Sequence, residues 1–180
     1  MEENKGGGKM KILIAYTTRT GTTAKCAEML AENLRARCEV ELCDMGANTV
    51  GAPENYDAVV IGSSVRMGRI SKQVKGYVKD NLEALNNMPC AFFLCCGLPD
   101  DFDDYIDINL PRDFEPSHGK YCFGGELKPK NAKGLDRFIL GVMRRSIKEH
   151  DFEDGNYEGS LPEIIPENIE VLSDRLMRKC

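Results

Sequence analysis

The sequence predicts a doubly wound α/β domain in which five parallel strands are covered by helices on both faces. Short, nearly continuous apolar runs of strand length recur along the chain, and segments with helical spacing of apolar residues separate them. This alternation indicates right-handed crossovers between parallel strands. The 180 residues suffice for one domain, expected over residues 10–180, after a polar, glycine-rich tail at residues 1–9.

The first strand, the first helix and the second strand follow one another near the amino end. Residues 10–16 form an apolar run, as expected of a strand buried on both faces. Apolar residues then recur at helical spacing over residues 23–36, and Thr22 or Thr23 is the expected N-cap of that helix. Alternation over residues 38–43 predicts a strand nearer the sheet edge.

The same unit then repeats. Residues 58–62 and 89–95 are again short apolar runs and are expected to be the third and fourth strands. Between them, residues 70–85 have the apolar spacing of a single helix.

The carboxyl half of the chain departs from this rhythm. Residues 97–119 contain three prolines, seven acids and one base, so we expect a long loop there. A fifth strand is expected over residues 121–127, and an extra amphipathic helix over residues 135–147. A final helix is expected over residues 166–178.

The composition argues against several classes of function. A net charge of -5 without a long basic block argues against nucleic-acid binding. No apolar stretch approaches the roughly 20 residues of a membrane span, and the amino end lacks a secretory signal, so we expect a cytoplasmic protein. Most of the eight cysteines occupy apolar segments, where free, buried thiols are expected. His118 and His150 lack metal-ligand spacing, so no metal site is predicted.

A hydroxyl-rich turn between the first strand and the first helix is the strongest candidate for a binding site. Its amides and the positive end of the helix converge where an anion would sit, and its hydroxyls add uncharged donors. Gly21 permits a close approach of the backbone or an unusual dihedral angle. The sequence therefore predicts that this turn binds phosphate. The predicted site residues are Thr18, Arg19, Thr20, Gly21, Thr22 and Thr23.

Two common nucleotide motifs are missing from this turn. It is neither a G-x-x-x-x-G-K-[ST] loop for nucleoside triphosphates nor a G-x-G-x-x-G loop for dinucleotides. A phosphorylated receiver domain shares the strand pattern but needs an acceptor aspartate at the carboxyl end of the third strand. Asp57 lies at the opposite end of that strand, which argues against a receiver.

The turn resembles the phosphate loop of the flavodoxin family, [ST]-x-T-G-x-T, which matches Thr18, Thr20, Gly21 and Thr23. Hydroxyl-rich turns also occur as plain strand-to-helix caps, so the motif alone leaves both interpretations open. The resemblance implies a flavodoxin-like sheet in the order 2-1-3-4-5 with an extra helix after the fifth strand. It also implies one bound FMN, with its phosphate in this turn.

The loops after the third and fourth strands should line the crevice that would hold the flavin ring, because ligands of doubly wound sheets bind at the carboxyl ends of the strands. In the first loop the expected contacts are Ser63, Ser64, Val65, Arg66, Met67 and Gly68. In the second they are Cys95, Cys96, Gly97, Leu98 and Asp100. Phe102 or Tyr105 either stacks on the ring or anchors the loop. Cys95 and Cys96 lack C-x-x-C spacing, so thiol catalysis is not expected there.

Within that family the chain is most similar to the flavodoxin-like protoporphyrinogen oxidases. The similarity lies in residues 16–21, in residues 56–68 and in residues 135–138. It implies an FMN enzyme that oxidises the porphyrinogen substrate protoporphyrinogen IX and passes electrons to a respiratory quinone. It singles out no catalytic side chain, because the flavin carries the chemistry.

The charge distribution departs from those oxidases, which tend to have basic residues where this chain has its acidic residues 97–119. Such acids would oppose docking on an anionic membrane. Residues 128–148 contain seven bases and one acid, and this segment either contacts the inner face of a membrane or a redox partner, or is simply a solvated helix face. An electron carrier without an organic substrate and a non-redox binding module remain the two alternatives.

Overall fold

The computed structural model describes residues 8–126 and 163–178, which form a five-stranded sheet covered by helices on both faces. All four strand pairs are parallel and the order is β2-β1-β3-β4-β5, so the predicted fold class is confirmed. The strands are β1 Lys11–Tyr16, β2 Glu39–Asp44, β3 Ala58–Ser64, β4 Cys90–Cys95 and β5 Lys120–Cys122.

Five helices cover this sheet in the described part of the chain. They are α1 Thr22–Arg35, α2 Lys72–Asp80, α3 Leu82–Asn87, α4 Phe102–Asn109 and α5 Pro166–Met177. The last confirms the predicted final helix. The helix expected over residues 135–147 lies outside the described residues. Among the helices described, the longest has 14 residues, and none combines the length and apolar character needed to cross a bilayer.

The two faces of the sheet bury separate apolar cores because successive strand residues point in opposite directions. On one face, Ile12 and Ile14 of β1 pack with α1 and α5, including Leu30 and Leu172. On the other face, Leu13 and its neighbours pack with α2, α3 and α4. Each residue of β4 is buried, as expected of a central strand whose apolar run is continuous.

Asp57 has a structural role at the amino end of the sheet. Its carboxylate accepts a hydrogen bond from the Lys11 backbone N–H at 2.7 Å, and its own backbone N–H donates to the Lys11 carbonyl at 2.8 Å. These contacts join the starts of β1 and β3. The residue therefore lies at the edge of the sheet opposite the carboxyl ends of the strands, as the sequence argument required.

The prediction of one helix over residues 70–85 is wrong. The helix is interrupted at Asn81. The backbone N–H and the side-chain Nδ2 of this residue both donate to the Tyr77 carbonyl, at 3.1 and 2.8 Å. Asn81 has a φ of -119°, outside the helical range, and serves as the C-cap of α2 and the N-cap of α3. A local side-chain bond to the backbone thus competes with the helix and divides it.

The prediction of a long loop over residues 97–119 is also wrong. Pro99–Asp101 forms a short 3-10 turn that leads into α4, which buries Ile106 against the sheet. The acidic residues occupy the outer side of this helix, including Asp103 and Asp104 in its first turn. Acids near a helix N-terminus are favourable because they face its positive end.

The fifth strand is shorter than the predicted residues 121–127. The ladder ends at Cys122, and Gly124 then adopts a φ of +70°, which turns the chain out of the strand. A Cβ at Gly124 would lie 2.1 Å from the Glu163 carbonyl oxygen, so glycine is required where these two segments meet.

Candidate functional site

The loops that follow β1, β3 and β4 lie side by side at the carboxyl edge of the sheet. We name them the β1–α1 loop (residues 17–21), the β3–α2 loop (residues 65–71) and the β4–α4 loop (residues 96–98). The Thr17 backbone N–H donates to the Gly62 carbonyl at 3.1 Å, and the Val65 N–H donates to the Cys95 carbonyl at 3.2 Å. The structure therefore brings the three loops together.

Gly21 sets the geometry of the β1–α1 loop. It adopts a φ of +90° and is the N-cap of α1, so the prediction that Thr22 or Thr23 caps this helix is wrong. The Gly21 backbone N–H donates to the Thr18 hydroxyl at 3.1 Å, which closes the turn. The first backbone N–H groups of an α-helix have no acceptor within the helix, and in α1 no side-chain cap accepts from them. They are donors that can bind an anion.

Buried threonine hydroxyls surround these uncapped amides. The side-chain oxygens of Thr17, Thr22 and Thr23 are buried and have no hydrogen-bond partner within the described part of the chain. The three residues are 7%, 5% and 1% exposed. Thr23 lies close to the Cys95 thiol and lowers the pKa of that thiol, although larger effects raise it. The distance and angles between the two groups do not meet the criteria for a hydrogen bond. Buried hydroxyls are normally bonded, so such a group fits a ligand that accepts hydrogen bonds.

Thr17 lies just outside the site predicted from the sequence, which begins at Thr18. The signal was present in the sequence, because Thr17 is the first of the run of hydroxyl residues after β1. Its burial could not be read from that run, since it depends on how the loop packs beside β3. Arg19 and Gly21, by contrast, are exposed at the outer side of the loop.

The β3–α2 loop contains a tight two-residue turn. The backbone groups of Arg66 and Arg69 exchange two hydrogen bonds, at 2.8 and 3.0 Å. Met67 and Gly68 between them have positive φ values of +50° and +71°, the pattern of a type I′ turn. Met67 is 72% exposed at its tip.

Asn109 of α4 holds this turn in place and is likewise absent from the site residues predicted from the sequence. Its side-chain Nδ2 donates to the Gly68 carbonyl at 2.8 Å, and its Oδ1 accepts from the Ile70 backbone N–H at 3.2 Å. The same Nδ2 donates to the Tyr105 carbonyl at 2.8 Å. A buried asparagine on the helix after β4 therefore holds the loop after β3 in place.

The side chain of Ser63 is directed into the protein. The residue is fully buried, and its hydroxyl donates to the Ser64 carbonyl at 3.1 Å and accepts from the Ser71 backbone N–H at 3.4 Å. Gly62 is likewise fixed by packing, because a Cβ there would lie 2.1 Å from the ring of Phe93. Ser64 and Val65 are half-buried.

The β4–α4 loop presents mainly its backbone at this edge. Cys95 and Cys96 are both buried, with their side chains in the cores on opposite faces of the sheet. Gly97 and Leu98 are half-buried and Asp100 is exposed.

The two aromatic residues of α4 anchor that helix. Phe102 and Tyr105 pack against the core on the side of α2 and α3. The Tyr105 hydroxyl donates to the Asp101 carboxylate at 3.1 Å, and burial together with this bond raises the pKa of Tyr105 to about 12.

A cleft of about 550 Å³ joins the β1–α1 loop to the β3–α2 loop and the start of α2. Thr17 and Ser64 lie on its wall, and the residues that line it include no acid among those the structure describes. Its cationic side chains are Arg19, Arg66, Arg69 and Lys72. Just beyond it, partial burial and the charge of Arg69 lower the pKa of Lys75. The cleft is therefore suited to an anion, and the exposed acids of α4 lie outside its lining.

Comparison with known proteins relates the chain to flavodoxins and to one class of dehydrogenase. The sequence profile described as "Flavodoxin domain" matches residues 13–154. The chain is 37% identical over 86 residues to the protoporphyrinogen IX dehydrogenase [quinone] of Escherichia coli strain K12, covering 47% of each protein. It is 35% identical over 89 residues to the flavodoxin of Aquifex aeolicus strain VF5, covering 46% of this chain and 48% of that protein. The match thus spans about half the length of these curated relatives.

A solved structure with the same fold is the two-electron reduced flavodoxin of Megasphaera elsdenii. It aligns with a TM-score of 0.50 and 17% sequence identity, covering 72% of this chain and 95% of that protein. At this level of identity the likeness is one of fold.

Proposed function

This chain belongs to the flavodoxin domain family, and from that premise we propose that it binds flavin mononucleotide and acts as a flavin-dependent redox protein. The family resemblance found in the sequence is thereby confirmed. The flavin, its binding residues and its redox partners are the proposal. One observation carries it: buried hydroxyls that have no hydrogen-bond partner among residues 8–126 and 163–178 lie beside a helix start that no side chain caps.

We assign the phosphate of the flavin to the β1–α1 loop. A phosphate group offers several strong acceptor oxygens, and the chain offers the hydroxyls of Thr17 and Thr22 with the first amides of α1. Hydrogen bonds to a charged acceptor are worth about 1.5–3 kcal/mol each. No acid stands in the first turn of α1 to repel the anion. The predicted residues Thr18 and Arg19 lie on the same loop and, in this proposal, also contact the phosphate.

We assign the flavin ring to the edge between the β3–α2 and β4–α4 loops. Since Ser63, Cys95 and Cys96 direct their side chains into the protein, contact from these residues would come from backbone amides and carbonyls. The half-buried Val65 and Leu98 and the positive-φ turn at Gly68 leave backbone near the surface. When bound, the flavin supplies hydride or single-electron transfer, while the chain orients it and sets its surroundings.

The basic cleft supports an anionic organic substrate. Arg66, Arg69 and Lys72 line a cavity that begins at the proposed phosphate site. Protoporphyrinogen IX carries two carboxylates, and the Escherichia coli relative is named for its oxidation with a quinone. We propose that this chain oxidises the same porphyrinogen, that the cleft binds its carboxylates, and that a quinone receives the electrons.

An electron carrier without an organic substrate is the second candidate. The observation that favours it is the group of exposed acids at the start of α4, which could dock a basic protein partner. The match to the Aquifex aeolicus flavodoxin covers 46% of the chain, nearly as much as the 47% covered by the match to the dehydrogenase.

The two candidates are separated by an anaerobic assay of FMN-loaded protein with protoporphyrinogen IX as donor and a short-chain menaquinone analogue as acceptor. The enzyme proposal predicts porphyrin fluorescence that rises with protein concentration and requires the quinone. Porphyrin formation no faster than in buffer with free FMN would refute the enzyme proposal and leave the carrier. A purified protein that takes up no FMN would refute both.

A further inference from the structure

Two cysteines that are distant in sequence meet beside the carboxyl edge of the sheet. The sulfur atoms of Cys96 and Cys122 lie 3.4 Å apart, although 26 positions separate them along the chain. Cys122 is the last residue of β5, and its register partner on β4 is Leu94, so Cys96 follows two residues later on the same face. Both are free thiols that pack against the same core.

The surroundings of the two thiols differ in a way that divides their roles. A hydrogen bond from the Cys96 thiol lowers the pKa of Cys122, and a bond from the Gly124 backbone N–H adds to this effect against the opposing effect of burial. The same pairing, together with burial, raises the pKa of Cys96. Cys122 is also partly exposed, whereas Cys96 is 3% exposed. Cys122 therefore has the features of an attacking thiolate and Cys96 those of a resolving thiol.

We propose that Cys96 and Cys122 form a redox-active dithiol that reduces a hydroperoxide and closes to a disulfide. The Cys122 thiol releases its proton, the thiolate sulfur attacks the terminal peroxide oxygen, and the O–O bond breaks. The leaving oxygen takes up the released proton through solvent and departs as water or alcohol. This leaves a sulfenic acid on Cys122. The Cys96 sulfur then attacks the Cys122 sulfur, the S–O bond breaks, and the hydroxide leaves with the Cys96 proton as water. Two thiols lose two electrons and one peroxide gains them.

A second thiol pair in the same sheet provides an internal reference. Cys26 and Cys95 also interact, on the opposite face, but they are 0% and 5% exposed within the core between α1 and the sheet. A peroxide cannot reach them without opening of that core. We therefore expect peroxide to oxidise the Cys96 and Cys122 pair and not the Cys26 and Cys95 pair, because only the first is accessible to solvent.

Disulfide formation would move the β4–α4 loop. The sulfur atoms must approach from 3.4 Å to a bond length of about 2.05 Å. A Cβ added at Gly125 would lie 3.0 Å from the Cys96 carbonyl carbon and 3.1 Å from the Gly97 nitrogen, so this glycine packs closely on the same backbone. A shift of that backbone would alter flavin affinity, and this one consequence rests on the proposed function. The dithiol itself does not.

The test uses the full chain with the substitution Cys180→Ser. This substitution removes a thiol that lies outside the described residues and would otherwise be available for oxidation. Reduced protein is treated with stoichiometric hydrogen peroxide, alkylated, and measured by intact mass and peptide mapping. The expected result is a loss of two hydrogens, a Cys96 to Cys122 cross-link and full reversal by dithiothreitol. A cross-link between other cysteines, or retention of both thiols, would overturn the proposal.

Two variants test the division of roles. With Cys96→Ser, a dimedone adduct should accumulate on Cys122 and no disulfide should form. With Cys122→Ser, peroxide consumption should fall at least tenfold, and Cys122→Ala repeats that test should the serine variant fold poorly. Cys26→Ala, in the buried second thiol pair, is the matched control and should leave the rate unchanged. An unchanged rate in both Cys122 variants would refute the proposal. FMN uptake, measured separately by absorbance, decides the proposed function independently.

Discussion

The side-chain amide of Asn109 donates a 2.8 Å hydrogen bond to the carbonyl of Gly68, so α4 holds the turn that follows β3. The same side chain accepts from the Ile70 backbone N–H at 3.2 Å. One buried residue thus connects α4 to the loop that follows β3. A flavin ring that contacts this loop would depend on the connection for its geometry.

Replacing Asn109 should therefore affect both stability and flavin binding. Asn109→Ala leaves two backbone groups without partners, at a cost of about 1–3 kcal/mol in the free energy of unfolding. It should also weaken FMN binding several-fold, because the turn at Gly68 is released. Urea denaturation and FMN titration measure the two effects. If affinity stays unchanged while stability falls, the loop does not contact the flavin.

Asn86 provides the matched control for that variant. Its side chain makes a similar pair of bonds, donating to the Asp113 carbonyl at 2.7 Å and accepting from the Glu115 backbone N–H at 3.0 Å. Asn86 lies at α3, away from the three loops. Asn86→Ala should reduce stability without changing FMN affinity.

Gly62 is predicted to be required for packing rather than for contact with a ligand. Gly62→Ala places a Cβ within 2.1 Å of the Phe93 ring, which itself stacks on Phe123 with centroids 4.5 Å apart. Overpacking of this kind typically costs about 1–3 kcal/mol. The second substitution Phe93→Leu should recover part of the loss in a double-mutant cycle measured by urea denaturation.

The control for Gly62 is Gly76, which lies in α2 with no atom near its added Cβ. Gly76→Ala should stabilise the protein by about 0.5–1 kcal/mol, since alanine favours a helix interior. Equal stability losses in the two variants would contradict the packing argument at Gly62.

The basic cleft should control affinity for an anionic substrate. Arg69→Gln and Lys72→Gln each remove one cation from the cleft wall, so each should raise KM for the porphyrinogen several-fold with little change in kcat. The effect should shrink at high salt, because exposed charges are screened. Arg37→Gln, on an exposed residue after α1, should leave KM unchanged. A uniform fall in kcat across all three variants would contradict substrate binding in this cleft.

The sheet could be predicted from the sequence because its central strands consist of nearly continuous runs of apolar residues. β1, β3 and β4 are buried on both faces, so their residues carry a signal that needs no knowledge of their neighbours. Helix α4 was missed because acids and prolines masked the apolar residues Phe102, Tyr105 and Ile106, although their spacing is helical.

Contacts between distant parts of the chain could not be predicted in the same way. Asn109 meets Gly68, and Cys96 meets Cys122, only once β3, β4 and β5 are aligned in the sheet. The hydroxyl of Thr17 is buried by its loop packing against β3, which no local pattern encodes. The turn at residues 18–23 can be proposed as a phosphate site from the sequence because its chemistry is local: hydroxyls, a glycine and a helix start are adjacent in the sequence.

The central claim is that buried hydroxyls at the start of α1 bind the flavin phosphate, and the substitutions Thr17→Val and Thr22→Val test it most directly. Valine keeps the shape of threonine but removes a buried hydroxyl that has no partner within the described chain. Each substitution should weaken FMN binding by about 10- to 100-fold, because this is the change in affinity that corresponds to the loss of one hydrogen bond to a charged group. Thr49→Val, at an exposed position, is the control.

The same substitutions should raise the melting temperature of the FMN-free protein, because an unsatisfied buried hydroxyl is costly in the folded state. FMN titration by fluorescence, combined with thermal unfolding of the FMN-free variants, therefore gives two changes of opposite sign. The predicted result is a higher melting temperature of the FMN-free protein together with weaker FMN binding. Unchanged FMN affinity in both the Thr17 and the Thr22 variant would contradict the claim.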